Sequence, residues 1–215
     1  LRYLKFRNEF GSIYDALIGT AGWVRDTRDS AIWPTRGRVE RATFEIGTPL
    51  GELEYWKYTY MHQYFYPYSP RITLVLSGEL DSGDGYNGKP LPFFKNYYSG
   101  GIGSVRGYQT ASLGPRDIDG TLLGGNRKVN ASMEMLFPAP GATIDRSMRL
   151  GIFVDAGQVY GVTEPLDLSQ MRSSAGVSFA WNSPVGPMKF SVARALNARP
   201  GDNTQPFQFT LGQVF

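Results

Sequence analysis

The side chains with the most chemical potential in this chain are few. Glu134 and Asp155 are acidic residues within strand-like stretches, Arg106 lies in a glycine-rich segment, and His62 is the sole histidine. Two carboxylates facing one space can divide general acid and general base roles, as in glycoside hydrolysis. That reading needs one raised pKa, whereas a nearby arginine lowers both, and no second catalytic partner accompanies the pair. The other chemistry open to two acids and a guanidinium is structural: a planar fork that hydrogen-bonds both carboxylates. His62 sits in a tyrosine-rich stretch and is expected to face an interior or to lie near an interface. One histidine and no cysteine exclude an ordinary zinc site, a thiolate redox site and a disulfide scaffold. Gly100, Gly101 and Gly103 do not form a phosphate cradle, because no strand-then-helix context surrounds them.

Those residues must be positioned by strands. Alternation of period two recurs along the chain. Phe207, Phe209 and Leu211 alternate with Gln208, Thr210 and Gly212; Met188, Phe190 and Val192 with Lys189, Ser191 and Ala193; Ala175, Val177, Phe179 and Trp181 with Gly176, Ser178, Ala180 and Asn182. Upstream, Leu150, Ile152 and Val154 oppose Gly151, Phe153 and Asp155, and Val129, Ala131, Met133 and Met135 oppose Asn130, Ser132 and Glu134. Further stretches at 16–26, 38–47, 52–64 and 72–80 complete about nine antiparallel-type strands. Glu134 and Asp155 thus fall on the polar face of neighbouring strands.

The strands run to about ten residues, the length a tilted membrane strand needs, and longer than the five or six usual in globular sheets. Expected connections are short near 183–186, 138–147, 65–70 and 27–36. On the other side they are longer, at 48–51, 81–128, 158–171 and 197–205. Short turns at one end and long loops at the other fit a transmembrane β-barrel, with apolar parity toward lipid and polar parity toward the lumen. Aromatics near strand ends, such as Tyr64, Tyr66, Tyr68, Trp181 and Phe215, resemble an interfacial girdle. Mean hydropathy of −0.28 and the lack of any long apolar run exclude a helical membrane protein. A net charge of +3, spread over scattered lysines and arginines, gives no nucleic-acid footprint. Segment 81–128 holds Leu91, Phe93, Phe94, Tyr97, Tyr98 and Tyr108 among glycines, too apolar to stay in water, so it is expected to fold into the barrel.

Several separate stretches now resemble one family. Asn96-Tyr97-Tyr98-Ser99-Gly100-Gly101, the tetrad Val105-Arg106-Gly107-Tyr108, and Leu113-Gly114-Pro115-Arg116 are similar to the sixth extracellular loop of the BamA family (bacterial surface antigen family), the insertases of outer-membrane proteins. The likeness continues through Ser132 to Leu136, the Phe153, Asp155, Gly157 motif, residues 182–187, and the ending Phe207-x-Phe209-x-Leu211-Gly212-x-x-Phe215, over roughly residues 27–215. The resemblance implies that the loop enters the lumen and that Arg106 meets Glu134 and Asp155 there. It implies the carboxy-terminal half of a sixteen-strand barrel, with residues 1–215 as part of one domain whose periplasmic POTRA repeats are absent. It also implies integral location in the bacterial outer membrane and assembly of nascent β-barrel clients by strand templating at a weak seam, with accessory lipoproteins and without cofactor, metal or enzymatic step. The terminal strand, with Phe207, Phe209, Leu211, Gly212 and Phe215, would be both seam and recognition signal. Alternatives are a sibling translocator, of the TamA or two-partner secretion type, and a diffusion porin. Nine strands closed alone would set first and last strands parallel, so an open or half barrel is expected.

Overall fold

The structure is a computed structural model that describes residues 15–139 and 147–212. Phe215 and most of the connection expected at 138–147 lie outside the described residues. Nine strands form one antiparallel sheet joined by successive hairpins. They are β1 (Ile18–Asp26), β2 (Gly37–Gly47), β3 (Tyr55–Pro67), β4 (Thr73–Gly85), β6 (Arg127–Pro138), β7 (Met148–Tyr160), β8 (Arg172–Ser183), β9 (Gly186–Ala195) and β11 (Phe207–Leu211). Two-residue strands β5 (Gly107–Tyr108) and β10 (Thr204–Gln205) pair with each other outside that sheet. No described helix is long and apolar enough to cross a membrane.

Exposure of the two parities decides between a soluble sandwich and a membrane sheet. A sandwich buries its aliphatic parity; here Met133, Ile152, Val177, Val192 and Phe209 are all more than half exposed. The opposite parity is covered instead, and it is polar: Asn130, Glu134, Asp155, Ser174, Ser178, Ser191 and Gln208 are buried. A sheet that turns valine and phenylalanine outward and serine inward is built for a hydrocarbon surround and a polar interior. Strand β1 is exposed on every residue.

Apolar packing is confined to small clusters rather than one core. Phe65, Val75 and Leu136 pack together toward the short-turn end. Leu53, Tyr55 and Leu91 pack at the long-loop end, and Val105, Tyr108 and Leu113 pack within the long loop itself.

Two details depart from the sequence reading. Strand β4 continues to Gly85 and β6 begins at Arg127, so the long connection spans 86–126 rather than 81–128. Residues 81–85 pair with Tyr55 to Thr59 through backbone bonds, while Asp81, Ser82, Gly83 and Asp84 are polar or small on both parities, which erases the alternation. His62 shares the parity of Tyr58 and Tyr64 and so looks outward, with its Nδ1 3.4 Å from Glu40 Oε1, whereas Met61 and Gln63 face the lumenal cavity.

Candidate functional site: an arginine seated on the inner wall

The loop after β4 turns back onto the polar face of the sheet and delivers its tip to β6, β7 and β8. Its course is fixed by a chain of anchors. Lys95 Nζ contacts Glu45 Oε1 at 2.7 Å. The Tyr97 hydroxyl lies 3.1 Å from the carbonyl of Tyr58 and 3.2 Å from that of Ser82, with Lys57 Nζ 4.2 Å from its ring centroid. Burial pushes the Tyr97 phenol up to about 12, so it remains a donor throughout the physiological range. Ser99 donates to Asn130 Oδ1 at 2.7 Å, and Tyr97 and Gly125 exchange backbone bonds at 2.7 and 3.0 Å.

At the tip, Arg106 is 3% exposed and Asp155 is wholly buried. The guanidinium grips that carboxylate with two parallel bonds, Nε to Oδ2 at 2.7 Å and Nη2 to Oδ1 at 2.8 Å, and the Arg106 backbone N–H adds a third to Oδ2 at 3.0 Å. Nη2 also donates to Ser132 Oγ at 3.2 Å, and the Ser132 hydroxyl donates to Asp155 Oδ1 at 2.7 Å. Nη1 stands 3.0 Å from Glu134 Oε1. That contact is an ion pair without hydrogen-bond alignment, since Nη1 is left without a directed acceptor. Beneath the fork lies the Phe153 ring, its centroid 3.3 Å from Arg106 Cζ.

Glu134 is shared. Lys189 Nζ lies 3.3 Å from Oε2, and the Ser178 hydroxyl donates to Oε1. Two cations and two anions therefore balance inside the wall. Unpaired, each ion buried there would cost several kcal/mol. The chemistry such a neutral knot performs is holding the loop tip against the wall.

Glycines make room for the tip. A side chain at Gly157 would run into Asn130 Oδ1 and lie 2.6 Å from Val105 Cγ2, and one at Gly176 would approach the Phe153 ring at 2.8 Å. Gly107 has φ of +87° and crosses closely above Ala193 and Ser174. Phe153, Asp155 and Gly157, on one face of β7, thus meet Arg106 by its ring plane, by its carboxylate and by the space left for Val105. Beside this contact lies a lumenal cavity of about 380 Å³, lined among others by Arg41, Gln63, Glu79 and Lys189.

The terminal strand β11 also reaches the tip, through Gln208. Phe207, Phe209 and Leu211 point outward and make no contact with the knot, while Gly212 follows the strand with φ of +82°. Among the described residues no group of three metal-binding side chains occurs.

Comparisons with known proteins bear on this geometry. A model of the Omp85 superfamily domain matches residues 7–215. The chain belongs to the Omp85 superfamily. It is 42% identical to the outer membrane protein assembly factor BamA of Neisseria meningitidis serogroup B, over 92% of this chain and 28% of that one. It is 25% identical to the sorting assembly machinery 50 kDa subunit of Saccharomyces cerevisiae, over 90% of this chain and 42% of that one. Among solved structures, the Omp85 sheet matches BamA from Haemophilus ducreyi lacking POTRA domains 1–3, with a TM-score of 0.84 and 29% identity, over 91% of this chain and 42% of the other. The chain therefore spans less than half the length of each of these relatives.

Within the Omp85 domain, sequence reasoning missed Ser132 and Gln208 as partners of the loop tip, and Lys189 and Ser178 as partners of Glu134 beneath it. Ser132, Ser178 and Gln208 were all assigned to the polar parity, and Lys189 alternates with Met188 and Phe190. Parity therefore places all four on the inner wall, but nothing in the alternation says which of them a loop tip will touch. A second missed contact joins the β1–β2 turn to β7. Arg149 donates to the carbonyls of Pro34 at 2.8 Å and Trp33 at 3.2 Å and stacks near the Trp33 ring, 4.9 Å from its centroid.

Proposed function

We propose that this chain is the carboxy-terminal part of the barrel of an outer-membrane protein assembly factor, integral to the bacterial outer membrane, that folds and inserts nascent β-barrel proteins. The observation that carries the reading is the pairing of the loop tip with the inner wall in a chain whose aliphatic parity faces outward: Arg106 on Asp155 and Glu134, inside a sheet shaped for lipid. Support also comes from the names borne by its relatives. The work involved is physical. Backbone pairing at a strand edge templates an incoming strand, so no cofactor, metal or enzymatic step enters. In this reading Val105, Arg106, Gly107 and Tyr108 hold the loop in place. Glu134 and Asp155, with Phe153 and Gly157, form its seat, and the terminal strand with Gly212 is the seam. Gly212 suits that place because glycine within or beside a strand weakens pairing and permits a kink. Nascent barrel proteins, lipid and accessory lipoproteins are the partners; nucleic acid is not.

The test uses the full-length protein reconstituted into liposomes together with its cellular partners, and follows folding of a urea-denatured β-barrel client by its heat-resistant migration. The native protein is expected to accelerate client folding at least about tenfold over empty liposomes, and Arg106→Ala is expected to lose most of that gain. Equal client folding in empty and loaded liposomes would overturn the assembly reading. A diffusion porin is disfavoured by the loop seated against the lumenal wall; large, stable conductance steps in planar bilayers would restore it.

A further inference from the structure

The loop tip is held from two sides. The wall side is the arginine knot described above. The other side belongs to the last hairpin. Gln208, on β11 and 5% exposed, uses its whole amide on the tip: Nε2 donates to the Tyr108 carbonyl at 2.7 Å, and Oε1 accepts from the Gly107 N–H at 3.3 Å. Just before it, Thr204 and Gln205 pair in register with Tyr108 and Gly107, and the Gln109 N–H donates to the Asn203 carbonyl at 2.9 Å. The Tyr108 hydroxyl lies 3.4 Å from Asn197 Oδ1 in the same connection. Small residues on the wall, Ser174 and Ala193, leave the space in which Gly107 passes.

The rest of β11 is held weakly. Among the described residues it pairs on one side only, with Val192 to Met188 of β9, and its residues at 207, 209 and 211 are more than half exposed. Gln208 is the one side chain of β11 that is buried. A side-chain amide that answers an N–H and a C=O of adjacent residues imitates one rung of a strand pair, and it does so across sheets that otherwise share no ladder.

We infer that Gln208 is a positioning residue that ties the seat of the loop to the place of the terminal strand, so that the two are released together. Displacing β11 removes both bonds from the loop tip, and lifting the tip strips β11 of its buried contact. Binding and release at one element therefore change the stability of the other by the same factor, as linkage requires. For assembly this means that a client pairing with the terminal strand also loosens the loop. That consequence rests on the assembly reading; the coupling itself does not.

The experiment measures amide hydrogen exchange in the full-length protein embedded in lipid, at the loop tip (104–113) and at the β9–β11 ladder. Gln208→Leu keeps the volume and removes both bonds. Exchange at the tip and along the ladder is each expected to rise at least about fivefold, the factor given by losing one net hydrogen bond of about 1 kcal/mol. Gln208→Glu keeps the acceptor for Gly107 and loses the donor to Tyr108, so it should fall between. Gln63→Leu, at a lumenal glutamine that lines the neighbouring cavity but bonds to Ser77 rather than to the tip, should leave both regions unchanged. A rise confined to the ladder, or to the tip, overturns the coupling, and so does a Gln63→Leu effect equal to that of Gln208→Leu. If Gln208→Leu does not assemble into a heat-modifiable barrel, Gln208→Glu against Gln63→Leu decides by the same criterion. Client folding is not read, so failure here leaves the assembly proposal standing, and failure there leaves the coupling testable.

Discussion

At the scale of single residues, Arg106 is the side chain on which most depends. Its removal leaves Asp155, which is wholly buried, with only Ser132 as a directed donor, and leaves Glu134 with Lys189 and Ser178. Breaking a buried pair in this way typically costs about 3–5 kcal/mol. Arg106→Ala is expected to lower the temperature at which the full-length protein loses its compact migration in unheated gel samples, and Asp155→Asn to do so more than Glu134→Gln. The ranking follows from bond count: Asp155 accepts three bonds from Arg106, whereas Glu134 has one unaligned contact with it. Equal effects of the two acid variants would remove the basis for that ranking. In the sequence, parity places Glu134 and Asp155 on one face of adjacent strands, and it is the resemblance of the loop to its family that brings Arg106 to them. The rest of the knot was not legible. Ser132, Ser178 and Lys189 are ordinary inner-wall residues until the loop arrives, and the distance from β9 to β6 is set by sheet curvature that alternation does not encode.

At the scale of elements, strands are readable and their punctuation is less so. Ten-residue alternation survives one or two exceptions, so all nine strands of the main sheet could be placed from the sequence. The pairing of β5 with β10 could not, because two residues carry no period, and the reach of β4 to Gly85 was hidden by small and polar residues on both faces. The β1–β2 turn shows how such a segment is fixed by side-chain chemistry. Loss of some water around it would by itself raise the Asp29 carboxyl. Bonds from the Thr35 hydroxyl and from the N–H groups of Thr35 and Arg36 outweigh that and hold it at about 2. Because the folded value lies below the ordinary 3.8, the stabilisation is fully present above about pH 4 and is lost as pH falls toward 2. The turn carries Trp33 against Arg149, so it reports on itself. With Trp23, Trp56 and Trp181 replaced by phenylalanine, Trp33 fluorescence is expected to change between pH 4 and pH 2, and Asp29→Asn is expected to show the low-pH signal already at pH 7. A native titration midpoint near neutrality would show that another group controls the turn.

At the scale of the whole molecule, the sheet has two ends. Strands β1 and β11 are the outer strands in the order of the described sheet, and they do not pair with each other. Nine strands joined by hairpins set the first and the last parallel, so closing the sheet on itself would replace an antiparallel seam with a parallel one. The outward faces of both edges carry apolar residues, Ala21 and Trp23 on one and Phe207, Phe209 and Leu211 on the other. Neither edge carries a lysine or proline within its strand to blunt it. In a hydrocarbon surround a row of unpaired N–H and C=O groups has no water to satisfy it, so each edge must find a strand. In a protein of the length of its relatives, of which this chain spans 28% in the Neisseria case and 42% in the Haemophilus structure, further chain is available for that purpose. The 215 residues refolded alone into detergent have only copies of themselves. They are expected to associate through β1 and β11, giving dimers or larger species by light scattering whose share grows as the protein-to-detergent ratio rises. Lysine at Ala21 and at Phe209, each facing outward in the middle of an edge, should shift the distribution toward monomer. A native chain that stays monomeric at every ratio would mean that the edges close on each other after all, parallel seam included.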